Sequence, residues 1–130
     1  MEIILDNEIF FIGISEERNR IYIQAAGFLS NADKMLEFLR MQTIAAYKLK
    51  PGFTGIANMK HFETLPQQLV NYELDAHFNL ISSGLKLIII LLPDNPVSLL
   101  QLKSVINSTG ITYEFCKTIE EAEAYLNKSN

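Results

Sequence analysis

Leu85-Lys-Leu-Ile-Ile-Ile-Leu-Leu92, stopped by Pro93-Asp-Asn-Pro96, is the stretch whose reading decides the fold. Every residue in it except Lys86 is Leu or Ile, and no polar residue alternates with them. A strand with one wet face alternates, whereas a strand covered on both faces reads as a continuous apolar run. The run therefore predicts a buried strand of a mostly parallel sheet with helices against it. Leu87, Ile89 and Leu91 are expected on one covered face, and Ile88, Ile90 and Leu92 on the other. The run is too short for a membrane span, which takes about 20 apolar residues, and no membrane insertion is expected.

Working outward, the other elements carry their own start and stop signals. Phe10-Phe-Ile-Gly-Ile14 and Ile21-Tyr-Ile-Gln-Ala-Ala26 are strand-like and joined by the short polar Ser15-Glu-Glu-Arg-Asn-Arg20, which predicts an antiparallel hairpin. Residues 2–5 either extend the first strand or form a short one of their own. Ser30 is read as the cap of a helix, with Asp33 reaching back to it. Met35, Phe38, Leu39, Gln42, Ala45, Ala46 and Leu49 then recur at helical spacing, Gln42 being the polar exception, before Pro51-Gly52 ends the helix.

Phe53-Thr-Gly-Ile-Ala-Asn-Met59 reads as a strand. Thr64 is expected to cap a second helix, with Gln67 in the reciprocal position and Pro66 tolerated in the first turn. That helix ends at Ser82-Ser83-Gly84. Asn95-Pro96 opens a third, stopping before Gly110. Ile111-Thr-Tyr-Glu-Phe-Cys116 alternates like an edge strand. Thr118-Ile-Glu-Glu121 is a capping box for a final helix through Leu126. The expected order is β-β-α-β-α-β-α-β-α, a single α/β domain over residues 1–130, with a mostly parallel central sheet of about five strands and helices packed on it.

Composition narrows the function classes. The net charge of −4 comes with 11 scattered Lys and Arg rather than a basic stripe, so nucleic acid is not an expected partner. The one cysteine, Cys116, has no internal partner for a disulfide, and Met1-Glu-Ile-Ile-Leu-Asp lacks the basic start of a signal peptide. A cytoplasmic location is the expectation.

The order of elements, with these particular residues, resembles the STAS fold of anti-sigma factor antagonists, and specifically a divergent SpoIIAA-like member. Ile21-Tyr-Ile-Gln-Ala-Ala-Gly27 is similar to that family's second strand and closing glycine. Asn58-Met59-Lys60 resembles the end of its third strand, Ser83-Gly-Leu-Lys-Leu-Ile-Ile-Ile90 its glycine-then-strand segment, and Thr118-Ile-Glu-Glu-Ala-Glu-Ala124 its last helix start. The resemblance implies a non-enzymatic protein-interaction or regulatory module. Regulatory members carry a phosphorylatable Ser or Thr, often in Asp-Ser-Ser-Gly, which would fall near Gln67. Here the segment is Glu63-Thr-Leu-Pro-Gln-Gln68, without that signature, and Thr64 is better read as a cap than as a phosphosite.

Reactive side chains are few. His61 and Glu63 follow the carboxyl end of a parallel strand, where α/β sheets place ligands. With Thr64 they form a candidate ligand or regulatory loop, set against the plainer reading of solvated loop residues. No residues are spaced as a catalytic set, a metal site or a cofactor fingerprint, so no cofactor is expected, and Cys116 lacks an activating neighbour. Glu73 and His77 lie four apart on the second helix, within reach of each other. They fall between two apolar stripes: Leu65, Leu69, Tyr72, Ala76 and Leu80, and Val70, Leu74, Phe78 and Ile81. One stripe suffices to pack a helix on a sheet. The second meets another helix, an apolar molecule or another chain. Val70, Leu74, Phe78 and Ile81 are thus candidate interface residues for a protein partner or a homodimer. The alternative is a protein that binds a small apolar, lipid-like ligand, which an enclosed cavity lined by Tyr72, Phe78 and their neighbours would favour.

Overall fold

The computed structural model describes residues 1–128. Six strands form one sheet in the order of the chain: β1 (Glu2–Asp6), β2 (Phe10–Ser15), β3 (Arg20–Ala25), β4 (Thr54–Asn58), β5 (Leu87–Leu91) and β6 (Tyr113–Cys116). The first three pair antiparallel and β3 through β6 pair parallel. Four helices complete the fold: α1 (Ala32–Tyr47), α2 (Val70–Ser82), α3 (Pro96–Thr109) and α4 (Ile119–Lys128).

The central strand behaves as its sequence requires. Ile88 and Ile90 pack with α1, α2 and α3 in the larger core, while Ile89 and Leu91 pack on Ala122 and Leu126 of α4. Leu87 and Leu92 join those two faces half-buried. Each parallel crossover, β3–α1–β4, β4–α2–β5 and β5–α3–β6, moves one strand along the sheet. The three crossover helices share one face, and α4 covers the other.

Three local expectations are corrected. The sheet has six strands rather than about five, because Asn7 folds the N-terminal residues into a hairpin of their own. Its side chain accepts from the Ile9 and Phe10 amides at 2.9 and 2.7 Å, and β1 then pairs with β2, with an irregularity between Ile3 and Leu5. Asn31, not Ser30, caps α1, accepting from the Lys34 amide at 3.2 Å.

Thr64 caps nothing. The chain stays irregular through Pro66, makes a 3-10 turn at Gln67–Leu69 and enters α2 at Val70 without a side-chain cap. The Pro66 backbone, at ψ 144°, holds the preceding residues out of the helix. Thr64 Oγ1 instead lies 3.3 Å from Ser98 Oγ on α3.

The remaining caps stand as read. Asn95 accepts from the Val97 and Ser98 amides at 2.8 and 3.1 Å, and Thr118 accepts from Glu121 at 3.1 Å. Gly84 is required by its place: its φ is +104°, and a Cβ there would stand 2.7 Å from Pro51 Cα.

Candidate functional site

Small side chains leave a space between the crossover helices and the sheet. Ala57 on β4 and Ala76 on α2 stand where neighbouring core positions carry Ile, Leu or Phe, and Phe38, Leu80 and Leu102 line the space with them. What remains is a cavity of about 70 Å³. Ile23, Ile88 and Ile90 form its floor, Met35 and Phe38 one wall, and Phe62 and Leu65 the side below the β4–α2 loop.

Gln101 holds that loop in place. Its amide pairs with the Leu65 backbone in both directions, accepting from the N–H at 2.9 Å and donating to the carbonyl at 3.0 Å.

All the lining side chains are apolar except Gln42, Glu73 and His77. Gln42 is buried, and its Nε2 donates to the Ala76 carbonyl at 2.8 Å, fastening α1 to α2. Glu73 is 9% exposed, and neither a hydrogen bond nor an ion pair reaches its carboxyl among the described residues. Burial alone raises its pKa to about 7. Burial likewise lowers the His77 pKa to about 4, so the imidazole is neutral near pH 7.

Thr109 Oγ1 lies 3.3 Å from the Ile106 carbonyl and 3.4 Å from His77 Nδ1, so the imidazole has a hydroxyl partner on α3. No hydrogen bond joins His77 to Glu73, although both line the same space.

The residues singled out from sequence fall in three places. His61 and Glu63 lie exposed in the loop after β4, with His61 Nδ1 3.9 Å from Asp94 Oδ2. Their backbones close a short parallel bridge beside Gly27, through Gly27 N to His61 O at 2.9 Å and Glu63 N to Gly27 O at 3.0 Å. Thr64 is half-buried against α3. None of the three lines the cavity.

The two apolar stripes read from sequence have different surroundings, and the first begins before α2, at Leu65 and Leu69. Leu65, Ala76 and Leu80 face the cavity. Val70 and Leu74 are half-buried, while Phe78 and Ile81 are 49% and 38% exposed. The cavity is thus lined by part of the first stripe, and Leu69, Tyr72 and Phe78 take no part in its wall.

Gln42 and Gln101 were not foreseen in these roles. A polar residue interrupting an apolar helical stripe was the available signal for Gln42. Nothing local marks Gln101, whose partner lies 36 residues away. Among the described residues, no group of three or more His, Cys, Asp or Glu is placed to hold a metal ion, and no helix is long and apolar enough to cross a membrane.

No family model matches the chain, and no curated protein matches it in sequence. Among solved structures it is similar to an uncharacterized protein of the DUF3478 family, with a SpoIIAA-like fold, from Shewanella loihica PV-4. The two chains are 13% identical and superpose with a TM-score of 0.64, over 94% of this chain and 98% of the other. At that identity the likeness is one of fold. The arrangement expected from the strand order and its motifs is present: the chain has a SpoIIAA-like fold.

Proposed function

We propose that this protein is a non-catalytic binding module that holds a small apolar molecule in the cavity between the sheet and α1–α3. The observation that carries the reading is the space itself, lined by apolar side chains except Gln42, Glu73 and His77.

Size limits that guest. The cavity is about 70 Å³, and an engineered cavity of about 150 Å³ admits benzene. A body of a few carbons fits without rearrangement, and Met35 and Met59 give the wall some adaptability. The test is a titration of methyl-labelled protein with xenon, followed by NMR. Shifts confined to Ile23, Ile88 and Ile90, and abolished by Ala76→Leu, are expected; scattered or absent shifts refute the reading.

A second reading rests on a different observation. Phe78 and Ile81 remain exposed on α2 beside the half-buried Val70 and Leu74. An apolar stripe of this kind suits a protein interface, with a second copy of the chain as the simplest occupant. In that role the protein is the interaction module that the SpoIIAA-like resemblance implies. The two readings use different sectors of the same helix and are compatible.

A further inference from the structure

The chain leaves β5 and β6 toward opposite faces of the sheet. After β5 it enters α3, on the face shared with α1 and α2, and after β6 it enters α4, on the other. Neighbouring parallel strands whose following helices part in this way leave a crevice beyond their carboxyl ends, where open α/β sheets place ligands. A cleft of about 710 Å³ opens at that place. Leu91 and Cys116 line it from the α4 face of the sheet, and Leu92 and Phe115 from the opposite face. Its loops are tied together: the Met59 amide donates to the Leu91 carbonyl and the Asp94 amide to the Lys60 carbonyl, each at 3.0 Å.

The charged groups around the cleft differ in what they still lack. Of its carboxylates, Glu121 accepts from the Lys117 amide at 3.3 Å, and Asp94 Oδ2 lies 3.9 Å from His61 Nδ1. The ammonium groups of Lys60 and Lys117 enter no ion pair among the described residues. Asp94 stands just before α3 and Glu121 in the first turn of α4, so the positive ends of both helices adjoin the cleft. Positive charge is what this site has left to offer, beside the apolar surface of Leu91, Leu92 and Phe115.

We infer that the crevice binds a small carboxylate with an apolar body, its anionic group held by Lys60 and Lys117 and its body on Leu91, Leu92 and Phe115. The site is separate from the cavity under α1–α3 and stands or falls without it. Ammonium groups hold a carboxylate through charge-assisted hydrogen bonds, and the apolar floor favours a body that leaves water. Asp94 and Glu121 line the same cleft and repel further negative charge, which suits a single carboxylate better than a polyanion.

The experiment titrates the full chain with hexanoate, hexanamide and acetate, following backbone amides and isoleucine methyls by NMR. Hexanoate is expected to shift the amides of Leu92, Cys116 and Lys117. At low salt it should bind about fivefold or more tightly than hexanamide, its uncharged counterpart. Acetate has the charge without the body and should bind at least about fivefold more weakly than hexanoate. The advantage over hexanamide is expected to shrink as salt rises from about 0.02 M to about 0.5 M. It should vanish when Lys60→Gln is combined with Lys117→Gln, both at exposed positions outside the core. Equal binding of hexanoate and hexanamide, or an advantage that survives the double substitution, overturns the carboxylate assignment. Acetate binding as tightly as hexanoate overturns the apolar body. Shifts absent from these amides, or confined to the methyls of Ile23, Ile88 and Ile90, overturn the crevice and leave the cavity reading untouched.

Discussion

Glu73 and His77 stand one helical turn apart on α2 and line the same apolar cavity, yet each is perturbed by burial and not by the other. Their contributions to stability oppose one another. The Glu73 pKa is raised from 4.5 to about 7 on folding, so its contribution is fully present below about pH 4.5 and is lost as pH rises to about 7. The His77 pKa is lowered from 6.5 to about 4, so its contribution is present above about pH 6.5 and is lost as pH falls to about 4. Each is worth roughly 3 kcal/mol over its window. Between about pH 4.5 and 6.5 the two slopes nearly cancel.

Single variants should uncover the hidden slopes. Urea unfolding of Glu73→Gln is expected to show stability falling on acidification below pH 6.5, driven by His77. His77→Gln should show stability falling as pH rises from 4.5 to 7, driven by Glu73. Parallel pH profiles for the wild type and both variants would contradict the burial assigned to the pair.

Arg20 and Glu123 make an unequal pair on the opposite face of the sheet. The Arg20 side chain is fully buried, with Nη1 2.6 Å from Glu123 Oε2, while the Glu123 side chain is 22% exposed and also meets Arg18 at 3.1 Å. Arg20 further bonds Thr54 and Asn127, so it ties α4 to β3 and β4. Glu123→Ala strands a buried cation and is expected to cost about 3–5 kcal/mol. Arg20→Met leaves a carboxylate that water and Arg18 still reach, so it should cost less. Denaturant unfolding of both variants checks the order, and equal costs would contradict it.

The outer stripe of α2 predicts association. Sedimentation of the wild type is expected to show a concentration-dependent dimer, and Leu74→Glu a monomer that circular dichroism finds folded. Burying a side chain such as Phe78 contributes roughly 1.5–3 kcal/mol, so a few such contacts suffice. A wild type that stays monomeric at high concentration removes the homodimer. A variant that unfolds assigns Leu74 to the core.

Thr64 carries the remaining regulatory question. Its hydroxyl is half-buried against Ser98 of α3, in a segment without the family's Ser-Ser-Gly signature. Intact-mass measurement of protein from its own cells is expected to show no phosphate there. Stoichiometric phosphate mapped to Thr64 would restore the switch.

The parts of this fold legible in sequence are those whose cause is local. The unbroken run 85–92 reports two covered faces because every side chain in it must be buried somewhere. Asn95-Pro96 and Thr118 report helix starts because capping needs only the next three residues. Thr64 misled because its threonine-to-glutamine spacing imitates a capping box, while Pro66 and the partner on α3 decide its position. The spacing of Glu73 and His77 placed them together on α2, but not against a cavity. That depends on Ala57 and Phe38, which tertiary packing alone brings opposite them.

The most direct test of a cavity built to hold a guest is a crystal structure under xenon pressure. Xenon is small enough for the observed space and binds by dispersion, without help from Glu73. The expected result is an ordered xenon atom between Phe38, Ala76 and Ile88 in the wild type, absent from Ala76→Leu. Xenon bound only elsewhere on the molecule, with the space beside Glu73 left unoccupied, would contradict the account.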